Sequence, residues 1–124
     1  MAALSRPKLR AALRALGRRR ADLVVGMLRP EEFVVGTVSE VRGRCGKPGC
    51  QCARGEGHPQ LRLLYAAGGR RRCKLVRKAD AERIRQAGAR YRQLKGALRE
   101  LTTLHARERR LLRAFVRQGG LRYR

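Results

Sequence analysis

Between Cys45 and His58 the chain reads CGKPGCQCARGEGH, and this stretch narrows the accessible folds more than any other. Three of the four cysteines stand here in the pattern C-x4-C-x-C, and one of the two histidines follows after a five-residue gap. Pro48 presets the first central position of a type II turn and Gly49 tolerates the positive φ of the second, which folds Cys45 back towards Cys50. Zinc takes four thiolate or imidazole ligands on a tetrahedron, and a short chain with little core gains folding energy directly by holding it. Cys45, Cys50, Cys52 and His58 make a Cys3His set without help from elsewhere. Cys50 and Cys52 share an ion only if the backbone bends at Gln51, because i and i+2 side chains of a straight strand stand too far apart. Other uses of the same residues stay open: a turn with spectator thiols, a disulfide or redox pair, or a fourth metal position filled by Cys73, water or a partner in place of His58.

A metal clip matters because the core is thin. Leu, Ile, Val and Phe make up little more than a fifth of the 124 residues, and there is no Trp. That lies just above the range of chains that stay disordered. The formal net charge is +23, from 32 Lys and Arg against 9 acids. Such a charge repels itself in a compact state and calls for a polyanionic partner, most often nucleic acid. Arg supplies most of it, and its planar fork matches phosphate oxygens and guanine edges. A genome rich in G and C inflates Arg, Ala and Gly together, which explains Arg over Lys but not the shortage of acids.

The longest apolar run, Leu23 to Leu28, is too short to span a membrane or serve as a signal core. The Arg-rich, acid-free start resembles a transit peptide, yet the same basic character continues along the whole chain. The expectation is a cytoplasmic protein, where thiols stay reduced and a cysteine cluster holds metal more readily than disulfides.

Along the chain, Ser5 and Pro7 start a helix whose apolar residues Leu9, Ala12, Leu13 and Leu16 run until Gly17. Arg18, Arg19 and Arg20 then read as a link into a second short helix over 21–28, closed by Pro30. Val and Thr enrichment over 33–44 predicts a strand leading into the cysteine turn. Residues 60–66 alternate, with Leu61, Leu63 and Tyr65 on one face, and Gly68-Gly69 marks a hairpin returning over 71–77. A two-residue loop opposes Leu63 to Lys74 and Tyr65 to Arg72, whereas a three-residue loop over 68–70 opposes Leu63 to Leu75 and Tyr65 to Cys73. The apolar pattern favours the second, with Cys73 in the core and Arg62, Arg72 and Lys74 together on the outer face.

That outer face, joined by Arg42, Arg44, Lys47, Arg54, Arg70, Arg71, Arg77 and Lys78, is the densest basic surface the sequence assembles, with only Glu40 and Glu56 in opposition. From Asp80 a long helix carries the stripe Ile84, Ala87, Tyr91, Leu94, Leu98, Leu101, His105, Glu108, Leu112 and Phe115 in steps of three and four. Gly88 and Gly96 inside it are sites where a kink or break is expected. Taking Ile84 as heptad position a, the flanking Arg83, Arg90, Lys95 and Arg109 include no acid, which opposes parallel self-pairing and favours an acidic partner helix or intramolecular packing.

The residues Gly36-Thr37, the run from Arg44 to Gly55 and His58 resemble a bacterial family of small proteins of unknown function, often encoded beside transposases. The resemblance covers roughly residues 33–104 and implies a mobile-element setting without an established activity. This chain departs from the family pattern at Pro59-Gln60-Leu61, where relatives tend to carry Gly, Pro and an aromatic.

The fold expected is α+β: N-terminal short helices, a small β-hairpin or three-stranded sheet with a cysteine-rich, zinc-ribbon-like turn, and a long C-terminal amphipathic helix. Its segments are a basic arm (1–32), the cysteine and hairpin module (33–78), the long helix (79–118) and a flexible tail (119–124). The function expected is non-enzymatic nucleic-acid binding, duplex DNA before structured RNA, with metal ligands Cys45, Cys50, Cys52 and His58 and contacts from Arg42, Arg44, Lys47, Arg54, Arg62, Arg70, Arg71, Arg72, Lys74, Arg77 and Lys78. The alternative is docking of an acidic protein, such as a transposase, on the C-terminal helix. No paired acids, phosphate-cradling loop or zinc-deaminase signature points to an enzyme.

Overall fold

The computed structural model describes residues 4–44, 46–50, 54–55 and 57–123. Its elements are α1 (Arg6–Met27), β1 (Thr37–Gly43), β2 (His58–Ala67), β3 (Arg70–Leu75), a 3-10 turn (Lys78–Asp80) and α2 (Ala81–Gly119). The fold is α+β, with one three-stranded antiparallel sheet in the order β1-β2-β3. Two compact units divide the chain: Met1–Pro30 with Leu94–Arg124, and Glu31–Gln93. The division falls within α2, so this helix serves both units.

In the first unit α1 is one helix of 22 residues, not two short ones. Ser5 precedes it as the cap residue, its carbonyl accepting from the Leu9 amide, and Pro7 fits the first turn, where no amide partner is lost. Gly17 costs about 1 kcal/mol relative to Ala but does not end the helix, because the same apolar face continues past it. Leu9 and Leu16 are buried on that face, at 1% and 6% exposure. The segment expected to be a link is anchored instead: Arg19 makes a two-pronged pair with Glu100, at 3.0 and 2.8 Å, and Arg20 pairs with Glu108.

Helix α2 runs antiparallel to α1 here, since Arg6 meets Phe115, Arg19 meets Glu100, and the Gln118 amide donates to the Leu4 carbonyl. The covered positions of α2 are Leu94, Ala97, Leu101, Leu104, Glu108, Leu111 and Phe115, while Leu98, His105 and Leu112 are exposed. The seam therefore lies one row to the side of the expected stripe. Polar fastening sets this rotation. The Arg6 guanidinium sits 3.9 Å from the Phe115 ring centre and donates to the Phe115 carbonyl, and Glu100 and Glu108 must both face α1.

In the second unit the first turns of α2 pack on the sheet through Ala87 and Gly88, opposite Val38. Leu61 is the buried centre of β2, at 6% exposure. No break occurs at Gly88 or Gly96; α2 is continuous. The strand expected from residue 33 begins only at Thr37. Before it, Phe33 stacks on Tyr91 at 6.1 Å, the Val34 amide donates to the Ala87 carbonyl, and Glu31 and Glu32 pair with Arg90 and Arg83. This segment lies along the helix because its partners are there.

The hairpin register also differs from the expected one. Leu63 faces Lys74, Leu64 faces Cys73 and Tyr65 faces Arg72, joined by the two-residue loop Gly68-Gly69. Both glycines adopt positive φ, +58° and +75°, as a type I′ turn requires, and that turn matches the twist of the strands it joins. Cys73 is consequently exposed on the other face of the sheet rather than packed beside Tyr65.

Candidate functional site

The turn read from the sequence is present. The Cys50 amide donates to the Lys47 carbonyl at 3.3 Å, and Gly49 stands at φ +76° directly after Pro48. The ends of the cysteine loop are tied where β1 and β2 meet. Gly43 pairs with His58, the Arg42 guanidinium donates to the Gly57 carbonyl, and the Gln60 amide donates to the Arg44 carbonyl. Gly57, at φ +87°, admits no side chain, since a Cβ there would lie 2.6 Å from the Gly43 carbonyl oxygen.

This clamp brings Cys50 and His58 together, with Sγ and Nε2 2.8 Å apart. Cys45, Cys52 and the Gln51 bend lie outside the described residues. Among the described residues no group of three His, Cys, Asp or Glu side chains gathers as a metal cluster. The donor chemistry of the pair suits zinc. With Zn–S near 2.3 Å and Zn–N near 2.0–2.1 Å, two tetrahedral ligands stand about 3.5 Å apart, so the pair must open by several tenths of an ångström to share an ion. A cavity of about 510 Å³ adjoins it, lined by Lys47, Lys78, Leu61 and Val76 among others.

The basic residues do not form one face. By the strand register, Arg42, Arg70, Arg72 and Lys74 stand on the side of Leu61, Leu63 and Tyr65, whereas Arg62 and Arg71 stand on the side of Leu64, Cys73 and Leu75. The expected grouping of Arg62 with Arg72 and Lys74 belongs to the three-residue loop and falls with it. Arg62 is half-buried, with Nη2 donating to the Gln60 side chain and Nε buried without a partner. Arg77 pairs with Asp80. Lys47, Lys78, Arg44 and Arg54 are exposed, as is every residue of β3.

Where the acids go decides which cations are left without a counter-charge. Glu31, Glu32, Glu40, Asp80, Glu82, Glu100 and Glu108 all pair with arginines of the helices or of the approach to α2. The Arg83 guanidinium, hydrogen-bonded to Glu32, holds that carboxyl below the usual glutamate range, and Glu32 in turn raises Arg83. Among the described residues, Arg70, Arg71, Arg72 and Lys74 have no acidic partner. Sequence counting found this basic segment but missed the pairing that leaves it uncompensated, because, apart from two local pairs near the start of α2, the partners stand 45 to 88 positions apart. It also missed Gln60, which joins the end of β1 to Arg62.

Among the described residues no helix is long and apolar enough to cross a membrane. A family model described as a domain of unknown function, DUF6788, matches residues 6–86. No curated protein and no solved structure matches the chain.

Proposed function

The chain belongs to this family, whose function is unknown, and from its own residues we propose a non-enzymatic nucleic-acid-binding protein, an accessory of a bacterial mobile element acting in the cytoplasm. The single observation that carries the reading is the disposition of charge: seven of the nine acids pair with arginines of the helices or of the approach to α2, and among the described residues β3 is an exposed strand of Arg and Lys with no acidic partner. Phosphate neutralisation by these groups supplies affinity that falls with salt. Cys45, Cys50, Cys52 and His58 would hold a zinc ion at the root of β2, where it would fix the loop that carries Lys47 and Arg54. When bound, the ion supplies folding energy and no chemistry.

The test is equilibrium binding of the whole protein to duplex DNA, single-stranded DNA and structured RNA over a salt series, before and after chelation, with zinc content measured in parallel. The reading expects retention of one polymer near physiological salt and a loss of affinity when zinc is removed. Equal binding to all three, erased by modest salt and indifferent to chelation, overturns it.

A second reading draws on the exposed apolar row of α2. Leu98, Leu112 and Val116 are 54%, 45% and 70% exposed, and Arg109, Arg113 and Arg117 accompany the last two. That surface suits an acidic protein helix, such as a segment of a transposase. Polar replacement of Leu112 and Val116 abolishes partner capture under this reading and leaves nucleic-acid binding intact under the first.

A further inference from the structure

We propose that Arg70, Arg72 and Lys74 engage successive phosphates along one strand of duplex DNA, and that Arg71 between them takes no part. This rests on the nucleic-acid reading above and assigns its contact residues. The Gly68-Gly69 turn fixes the register in which these three side chains share one face of β3 while Arg71 stands on the opposite one. Alternate residues of a strand repeat at about 6.7 Å, close to the separation of neighbouring phosphates on one nucleic-acid strand. Three cations at that repeat form a row that a phosphodiester backbone can follow.

Position in the sheet keeps the row accessible. β3 is the last strand, with β2 on one side only, and all six of its residues are exposed. α2 meets the sheet at Val38 of β1, two strands away. Around Arg71 the surface is different: Leu64, Cys73 and Leu75 share its face, with Leu64 and Leu75 43% and 59% exposed, and the other arginine there, Arg62, is half-buried and bonded to Gln60. A cation set among apolar side chains continues no row.

The aromatic residues favour duplex over single strand. Proteins that hold single strands stack bases on exposed rings. Here β3 itself carries no aromatic residue and Tyr65 beside it is half-buried. Phe33 and Tyr91 stack on each other, Phe115 lies beneath Arg6 and Arg10, and the open ring, Tyr123, belongs to the C-terminal tail rather than to the strand. A duplex keeps its bases inside and presents phosphates, which is what this strand is equipped to meet.

The experiment measures binding of the full chain to a short duplex across a salt series for wild type, Arg70→Gln, Arg72→Gln, Lys74→Gln and Arg71→Gln. Each phosphate contact contributes about 0.9 to the slope of log affinity against log salt on duplex DNA. The three row variants should each lose about that much, Arg71→Gln should keep the wild-type slope, and Arg72→Lys should restore it. Circular dichroism confirms folding, and should one Gln variant unfold, the remaining row variants set against Arg71→Gln give the reading. An equal loss in Arg71→Gln overturns the row, because contact is then diffuse, while the nucleic-acid reading survives. Tighter binding to single-stranded DNA overturns the duplex assignment, and equal binding of a polyglutamate peptide shows a docking strand for acidic protein instead. Absence of salt-dependent DNA binding in wild type removes the underlying reading itself.

Discussion

Replacing Gly88 by Ala sets two effects of known sign against each other. Ala is favoured over Gly inside a helix by about 1 kcal/mol, so an unobstructed glycine of α2 should gain by the exchange. At Gly88 the new Cβ would lie 2.5 Å from Val38 Cγ2 and 3.1 Å from Val38 Cβ. Val38 is β-branched and restricted at χ1, so it cannot swing away as a long side chain would. Relief requires the helix and strand to separate, and overpacking of this kind costs about 1–3 kcal/mol. The net expectation for Gly88→Ala runs from no change to a loss of about 2 kcal/mol, by difference of the two figures. Gly96 is the control on the same helix, with nothing within 4 Å of an added Cβ; Gly96→Ala should gain about 1 kcal/mol.

The two variants thus differ by about 1–3 kcal/mol, which for a chain of this length separates their melting temperatures by roughly 4–12 °C. Thermal unfolding followed by far-ultraviolet circular dichroism in one buffer reads that gap. Val38→Ala closes the argument: with both valine methyls removed, Gly88→Ala should become neutral or stabilising, a coupling expected only between groups in contact. The reasoning is refuted if Gly88→Ala melts as high as Gly96→Ala, or if its effect is the same with and without Val38.

Two further outcomes follow from the packing and the ion pairs. The position of the α2 seam predicts that Leu16→Ala in α1 costs about 2–4 kcal/mol whereas Leu98→Ala, on the exposed row, stays within about 0.5 kcal/mol of wild type; denaturant melts of both distinguish this seam from one running through Leu98. Glu32, held below its ordinary pKa of 4.5 by the Arg83 hydrogen bond and charge, stabilises the fold above the unfolded value, and that contribution disappears as pH falls through the depressed folded value. Wild type should therefore melt higher than Glu32→Gln at neutral pH, and the two should converge in acid below the usual carboxylate range; a gap that persists there or widens refutes the assignment.

Local chemistry was readable wherever one residue type dictates one conformation. Ser5 and Pro7 start α1, Pro48-Gly49 makes the turn before Cys50, and Gly68-Gly69 turns the hairpin. What could not be read was which of two neighbouring rows a helix would bury. Leu98 and Leu112 fit a heptad as well as Ala97, Leu104 and Leu111 do. The choice was made by Arg19, Arg20 and Arg6 reaching Glu100, Glu108 and Phe115 from another helix. Gly17 misled for a related reason: a helix breaker weighed alone has no knowledge of the tertiary contacts formed beyond it.

The hairpin shows the same competition between local and distant terms, and its outcome bears on function. Reading the apolar pattern assumed that both strands were to be buried, which made a three-residue loop the way to keep Leu75 and Cys73 inside. β3 is an edge strand that α2 does not cover, so no burial energy was available to reward that register. Turn geometry then decided, and two glycines at positive φ outweighed the pattern. The consequence is a strand whose Leu75 is sacrificed to solvent and whose Arg70, Arg72 and Lys74 are aligned. Lys and Arg on an open edge also discourage strand-to-strand aggregation, and that role alone would be served by cations in any arrangement. It does not require the acids to be tied up by arginines of the helices, since an interspersed Glu would guard the edge equally well. Engagement of the acids elsewhere together with alignment of the cations is what a binding strand needs and a merely guarded edge does not, and the contrast between Arg71→Gln and Arg72→Gln separates the two.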